Sequence, residues 1–237
     1  MLSIIIPAHF EEKNIVKTLT EIEKKVKTPH EVLVVYDLDN DPTKEAVKQY
    51  KSVKRYKGVK VSLIKNFVGS GRGVVNAFRS GVKKAKGEAV VVVMADLSDD
   101  LGKIDTMFRK IESGDEIVCG SRYMKGGRQI GGPLLKGLLS RTAGLTAHHL
   151  FGLPTSDPTN AFKMFKKNIF NRIEIESDGG FEYNLEVIVK AFRAGMRITE
   201  VPAVWRDRTK GRSKFRLLRW LPKYLRWYGF LIKSLIR

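Results

Sequence analysis

The sequence predicts an α/β fold, a doubly wound and mostly parallel sheet flanked by helices. Short β-branched runs alternate with segments whose apolar residues recur at helical spacing, which is typical of parallel sheets with crossover helices. One run, Ala89–Met94, is apolar at every position, as expected for a strand buried on both faces. The length of 237 residues and the hydrophobic content of 43% suit one large domain with a tail.

The first half of the chain predicts three strand and helix pairs ahead of that apolar strand. Pro7 ends the first strand, Thr43 is the predicted N-cap of the second helix, and glycines open the third helix. In chain order these elements are Leu2–Ile6, Asn14–Lys25, Glu31–Tyr36, Thr43–Tyr50, Val59–Ile64 and Gly69–Lys86.

The second half is more irregular and contains glycine-rich loops. Helices are predicted around Lys136–Phe151 and Glu182–Ala194, and a strand near Ile198–Val204. Cys119 is expected to be a buried strand residue. As the only cysteine it excludes an internal disulfide framework and is compatible with a reducing compartment.

The charge of the chain favours anionic partners. Forty-four Lys and Arg residues against 25 Asp and Glu give a net charge of +19. We find no helix-turn-helix, zinc-finger or RNP signature, so we expect no nucleic-acid partner. The N-terminus lacks the basic region and cleavage site of a signal peptide, which predicts a cytoplasmic protein.

Carboxylates follow two of the predicted strands. Asp37, Asp39 and Asp41 come after the second strand, and Asp96, Asp99 and Asp100 come after the fourth. Ligands of such sheets bind beyond the carboxyl ends of the strands, and carboxylate oxygens suit Mg²⁺ or Mn²⁺ bridging substrate phosphates. A turn that caps the next helix explains the second group equally well. The glycine cluster Gly69–Gly73 likewise fits a phosphate cradle or a simple turn.

An ordered series of motifs resembles family 2 glycosyltransferases of the GT-A (Rossmann-like) fold. The second half resembles polyprenyl-phosphate sugar transferases more specifically, such as dolichyl-phosphate mannose synthases. The matching segments are Ser3–Ile15, Val34–Thr43, Gly71–Gly73, Met94–Leu97, Gly120–Tyr123, Gly126–Gly127, Ser156–Lys163, Glu200–Pro202 and Arg208–Lys214.

The resemblance implies roles for matching positions. The donor nucleotide would contact Pro7, Ala8, Glu11, Asp37, Arg72 and Asp96. The acceptor phosphate would lie among Arg122, Lys136, Ser140, Arg208 and Lys214. A divalent cation, Mg²⁺ or Mn²⁺, would be held by Asp96 and Asp99, and the catalytic residues would be Asp96, Arg208 and Lys214.

Four positions depart from the family pattern. Met94 replaces the first aspartate of the D-x-D metal motif, and a thioether does not bind a hard cation. Either Asp96 works with Asp99 or Asp100, or the diphosphate holds the cation, or catalysis is impaired. The other departures are Ser98 for glutamine, Tyr36 for aspartate and Lys136 for arginine.

The expected activity is inverting transfer of a hexose, mannose or glucose, from GDP- or UDP-hexose to a polyprenyl or dolichyl monophosphate. A lipid monophosphate is ionised near neutral pH, so it needs cationic positioning more than a general base. One alternative is transfer to a sugar or polysaccharide hydroxyl, with Asp157 or Glu182 as base. Another is a pseudoenzyme that binds nucleotide or lipid without transfer.

The C-terminal segment is basic and aromatic. We expect a catalytic domain over residues 1–213 and a membrane-interface tail over residues 214–237, formed by two amphipathic helices that Pro222 separates. It would bring the enzyme to the cytoplasmic face of a membrane as a peripheral protein. The alternative is a helix packed on the protein's own core or on a second copy, and the sequence leaves a homo-oligomer open.

Overall fold

The computed structural model describes residues 1–53, 59–178, 180–207 and 217–233. The strands are β1 Leu2–Ala8, β2 His30–Tyr36, β3 Lys60–Lys65, β4 Ala89–Val92, β5 Ile117–Ser121, β6 Arg128–Ile130, β7 Lys163–Lys166, β8 Ile198–Pro202 and β9 Val204–Arg206. The α-helices are α1 Ile15–Lys25, α2 Thr43–Val53, α3 Val74–Lys84, α4 Ile104–Glu112, α5 Leu134–Phe151, α6 Tyr183–Arg193 and α7 Leu217–Lys233.

Seven strands form the central sheet in the order β3-β2-β1-β4-β7-β5-β8. Every neighbouring pair is parallel except those of β7, which runs antiparallel to both β4 and β5. A second small sheet pairs β6 with β9 in parallel. The predicted α/β fold with a mostly parallel sheet is confirmed.

Hydrophobic clusters cover both faces of the sheet. Ile4 and Ile6 of β1 pack into one cluster and Ile5 into the other, because successive strand side chains point to opposite faces. The first cluster includes residues of α1, α2 and α4, and the second includes residues of α3, α6 and α7. This burial on both sides explains the continuous apolar runs in the sequence.

Several predicted boundaries differ from the structure. Pro7 does not end the first strand, since β1 continues to Ala8, and three further differences have a local reason. Helix α3 begins at Val74 and not at Gly69, because Gly69, Gly71 and Gly73 have φ of 57°, 66° and 87°, which no α-helix accommodates. The predicted strand near Ile198–Val204 divides into β8 and β9, which belong to different sheets. Thr43, the predicted N-cap, is instead the first residue of α2, and its amide donates to the Asp41 carboxylate at 2.9 Å.

The expected pair of C-terminal helices is also wrong, since α7 is one helix that contains Pro222. A proline removes one backbone hydrogen bond, and tertiary packing offsets that loss here. Trp227 is 3% exposed and Leu231 is fully buried in the core cluster that α6 shares. None of the described helices is long and apolar enough to cross a membrane. The junction at residues 213 and 214 lies outside the described residues, so the domain boundary stays a prediction.

Candidate active site

The carboxyl ends of β1, β2 and β4 lie side by side at one edge of the sheet, because the three strands are parallel neighbours. Pro7 and Ala8 are the last residues of β1, and Asp37 directly follows β2. Asp96 follows β4 after a short extension. The structure therefore brings the predicted donor residues to one edge, as the fold class requires.

Asp37 organises the glycine-rich loop. One carboxylate oxygen accepts from Asn66 Nδ2 at 2.9 Å, and the other accepts from the Gly73 amide at 3.0 Å. Asn66 in turn accepts from the Ser80 hydroxyl at 2.9 Å. Asp37 thus holds the loop that carries the exposed side chain of Arg72. Sequence reasoning missed Asn66, although its place directly after β3, at the same edge, was a usable signal.

The loops that follow β1 and β2 are joined by two hydrogen bonds. The Phe10 amide donates to the Asp41 carboxylate at 2.9 Å, and the Glu11 amide donates to the Thr43 hydroxyl at 2.8 Å. Phe10 has a φ of 58°, a left-handed conformation that is rare for a bulky residue. These bonds hold Glu11 beside the strand ends where the donor is expected.

The segment after β4 turns sharply and buries two carboxylates. Leu97 has a φ of 63°, and the Ser98 amide donates to Asp96 at 3.2 Å. The Met94 amide donates to Asp99 at 2.7 Å, so Met94 contributes its backbone to the site. Burial, together with the neighbouring Asp96 carboxylate, raises the pKa of Asp99 to about 7.

The donor set fits a divalent cation that also binds substrate phosphates. Asp96 and Asp99 line the same cavity, and a cation would offset the cost of burying their charges. No three carboxylate, histidine or cysteine side chains converge as a complete metal site within the part of the chain that the structure describes. Two protein carboxylates would therefore need phosphate oxygens and water to complete the coordination.

A buried ion pair between Arg122 and Asp157 lies beside the same cavity. Arg122 donates to Asp157 from Nε at 2.7 Å, from Nη2 at 2.8 Å and from its backbone amide at 3.0 Å. Asp157 is completely buried and keeps the pKa of Arg122 well above its usual range. Asp157 is thus a positioning partner of Arg122. The sequence had suggested Asp157 as a possible base for transfer to a sugar hydroxyl.

Hydroxyl groups extend this ion pair towards α5. Arg122 Nη2 donates to the Ser140 hydroxyl at 3.1 Å, and Ser140 lies 2.6 Å from the Thr159 hydroxyl. Lys136, one turn before Ser140 on α5, lines the same cavity. The predicted acceptor residues Arg122, Lys136 and Ser140 are therefore brought together. Arg208 and Lys214 lie outside the described residues.

The cavity has a volume of about 300 Å³ and connects the two groups of charged residues. Asp96 and Asp99 line one part, and Arg122, Lys136 and Ser140 line another. Its apolar wall was not predicted, because it combines residues far apart in sequence: Pro133, Leu139, Ala143, Phe181, Trp205, Leu221 and Tyr224. Two of them, Leu221 and Tyr224, come from α7.

Comparison with known proteins is consistent with this geometry. The model of the family described as Glycosyl transferase family 2 matches residues 3–174. In an alignment of 239 positions, the chain is 28% identical to the dolichol-phosphate mannosyltransferase of Pyrococcus furiosus. The alignment covers 96% of this chain and 64% of that protein. It is 25% identical to the polyprenol monophosphomannose synthase of Mycolicibacterium smegmatis over 214 residues, covering 89% and 79%.

A solved structure shares the fold over nearly the whole chain. Glucosyl-3-phosphoglycerate synthase from Mycobacterium tuberculosis, in complex with phosphoglyceric acid, superimposes with a TM-score of 0.70 at 15% identity, covering 99% of this chain and 79% of that one. The family match covers residues 3–174, which is more than half of the chain, so the chain belongs to glycosyl transferase family 2.

Proposed function

We propose that this chain transfers a hexose, with inversion, from a nucleotide-diphospho-sugar to a polyprenyl or dolichyl monophosphate. The observation that carries the proposal is the single cavity that joins Asp96 and Asp99 to Arg122, Lys136 and Ser140. Anionic side chains suit a cation-bound diphosphate, and cationic and hydroxyl side chains suit a phosphate acceptor. The two relatives are named for dolichol phosphate and for polyprenol monophosphomannose, which supports this acceptor class.

On the donor side, Asp37 and Asn66 would keep the glycine loop in place for the nucleotide, and Asp96 and Asp99 would lie at the diphosphate. A bound Mg²⁺ or Mn²⁺ would offset the charge that develops on the departing nucleoside diphosphate. Structures of the fold neighbour contain Mn²⁺ or Mg²⁺ with UDP, in agreement with a divalent cation. GDP and UDP both remain compatible with these residues.

On the acceptor side, Arg122 and Lys136 would hold the phosphate, and Ser140 would donate a hydrogen bond to it. Asp157 fixes the guanidinium in one orientation, which preorganises the site for in-line attack on the anomeric carbon. The attacking phosphate oxygen is already ionised, so no residue has to remove a proton.

Transfer to a sugar hydroxyl is less well supported, because it needs a carboxylate free to act as base. Asp157, one of the two candidates, is bound twice by the Arg122 side chain. The other, Glu182, is buried and accepts from the Gly180 amide at 2.7 Å. Both carboxylates therefore serve structural contacts.

We also propose that the protein acts at a membrane surface, since exposed leucines lie beside the cavity. At the start of α5, Leu134 is 90% exposed, Leu135 61% and Leu138 62%. The same turn of helix carries Lys136, a cavity residue. Exposed apolar side chains next to basic residues suit the headgroup boundary, where a lipid acceptor presents its phosphate.

A transfer assay tests the proposal. The full chain is incubated with radiolabelled GDP-mannose, UDP-glucose or GDP-glucose and with farnesyl phosphate, with and without Mg²⁺ or Mn²⁺. We expect cation-dependent formation of a glycosyl phosphate lipid from at least one donor. Transfer only to sugar hydroxyls would replace this proposal with the alternative, and nucleotide binding without transfer to either acceptor would indicate a pseudoenzyme.

A further inference from the structure

A buried lysine closely follows the segment of the chain that lines the cavity near Arg122. Lys163 is the first residue of β7 and is completely buried. Its ammonium group donates to the Asn160 carbonyl, and it forms no ion pair with any carboxylate of the described residues. Burial lowers its pKa to about 8. A cation in this setting is costly, and an apolar side chain would make a more stable core.

The partner of Lys163 belongs to the segment that forms the acceptor site. Thr159 and Asn160 line the cavity, and Asn160 Nδ2 donates to the Gly120 carbonyl at 2.7 Å. Asp157, which holds Arg122, lies three residues earlier in this segment. The Lys163 ammonium therefore fastens the end of the turn that positions the phosphate-binding arginine.

The positive charge of Lys163 has a second effect, on the electrostatic potential in the cavity. Asp157 and Asp99 are among the groups whose charge favours the Lys163 cation, and Arg122 is among those that oppose it. Interaction between charges is strong in a region without water, so the Lys163 cation reinforces the positive potential at the cavity. A phosphate dianion in the cavity would interact favourably with this potential.

We propose that Lys163 is a positioning residue for the acceptor phosphate, which acts through the Asn160 carbonyl and through its charge. The inference rests on the proposed function. It predicts that the buried lysine lowers the stability of the folded protein. A neutral replacement should therefore keep or raise Tm and weaken acceptor binding. A purely structural lysine would give the opposite change in stability.

The test compares Lys163→Met, Lys163→Gln and, as a control, Lys166→Met, which removes a charge from the other end of β7. Methionine adapts to the volume without a charge, and glutamine keeps a hydrogen-bond donor but is neutral. We measure thermal unfolding, the Kd of GDP and UDP by calorimetry, and the KM of farnesyl phosphate in the transfer assay.

For Lys163→Met we expect an unchanged or higher Tm, an unchanged nucleotide Kd and a KM for farnesyl phosphate raised about five- to tenfold. Lys163→Gln should show an intermediate KM, and Lys166→Met should match the wild type. The inference is overturned if both Lys163 variants keep the wild-type KM. It is also overturned if Lys163→Met loses stability or fails to fold. Without wild-type binding or transfer of farnesyl phosphate, the proposed function fails and this inference with it.

Discussion

Replacing Asp157 by asparagine removes one charge from the proposed acceptor site and leaves its shape nearly unchanged. In the folded protein this carboxylate receives three hydrogen bonds from Arg122, two of them from the guanidinium group. Asp157 is 0% exposed and the Arg122 side chain is 12% exposed, so water solvates the unpaired guanidinium only slightly. The substitution therefore leaves a buried guanidinium without its counter-ion.

The expected loss of stability follows from that burial. Removing one partner of a buried ion pair costs about 3–5 kcal/mol, and asparagine keeps one oxygen acceptor, so we expect about 3 kcal/mol for Asp157→Asn. For a domain of this size such a loss lowers Tm by about 6–12 °C. The nearby Lys163 cation adds repulsion once the Asp157 charge is gone. The KM for farnesyl phosphate should also rise at least about tenfold, because Arg122 loses its fixed orientation.

Thermal unfolding by circular dichroism and the transfer assay measure these two effects. Asp178→Asn is the matched control, because it breaks an ion pair with Lys223 in which the aspartate side chain is 86% exposed. Exposed pairs contribute about 0–1 kcal/mol, so this control should change Tm by little. If Asp157→Asn were as stable as Asp178→Asn and used farnesyl phosphate normally, the assignment of Arg122 and Asp157 as a preorganised acceptor site would be wrong.

Three further predictions concern the other parts of the site. Asp96→Ala, or excess chelator, should abolish transfer because the diphosphate loses its cation anchor; full turnover in either condition would refute the metal assignment. Gly73→Ala should destabilise the protein by about 1–2 kcal/mol, since φ is 87° at this position, and it should weaken nucleotide binding measured by calorimetry. The control is Gly195→Ala, where φ is 66° but the residue is far from the donor loop, and it should leave nucleotide binding unchanged. Leu135→Glu combined with Leu138→Glu should reduce sedimentation with anionic vesicles and leave nucleotide affinity intact; undiminished sedimentation would remove α5 from the membrane surface.

The position of the proposed donor residues at one edge of the sheet could be predicted from local sequence, whereas their roles came from the family resemblance. Strands and helices alternate, and each strand is followed at once by the polar residues that its carboxyl end presents, as with Asp37 and Asp96. Parallel neighbours then bring these ends together without further information. The precise hydrogen bonds were not predictable, since the Gly73 amide reaches Asp37 across 36 residues only once the glycine loop has folded back.

The acceptor half depends on packing between distant segments, so single-sequence patterns reveal less of it. Arg122 and Asp157 are 35 residues apart, on either side of α5, and only the tertiary fold makes them an ion pair. Resemblance to a family supplied Lys136 and Ser140, but it did not identify Trp205 or Tyr224 as walls of the cavity. Apolar and aromatic residues have the same pattern whether they line a site or fill a core.

Helix α7 shows why the C-terminal segment cannot be treated as a separable membrane anchor. Leu221 and Tyr224 form part of the cavity wall, while Trp227 and Leu231 are buried in the core cluster that includes residues of α3 and α6. Trp227 Nε1 also donates to the Ser177 hydroxyl at 3.1 Å. Removing the segment would open the cavity and expose core residues, so loss of activity after truncation would not demonstrate a membrane role. Point substitutions on exposed leucines leave this packing in place, and they alone can separate attachment to a membrane from construction of the active site.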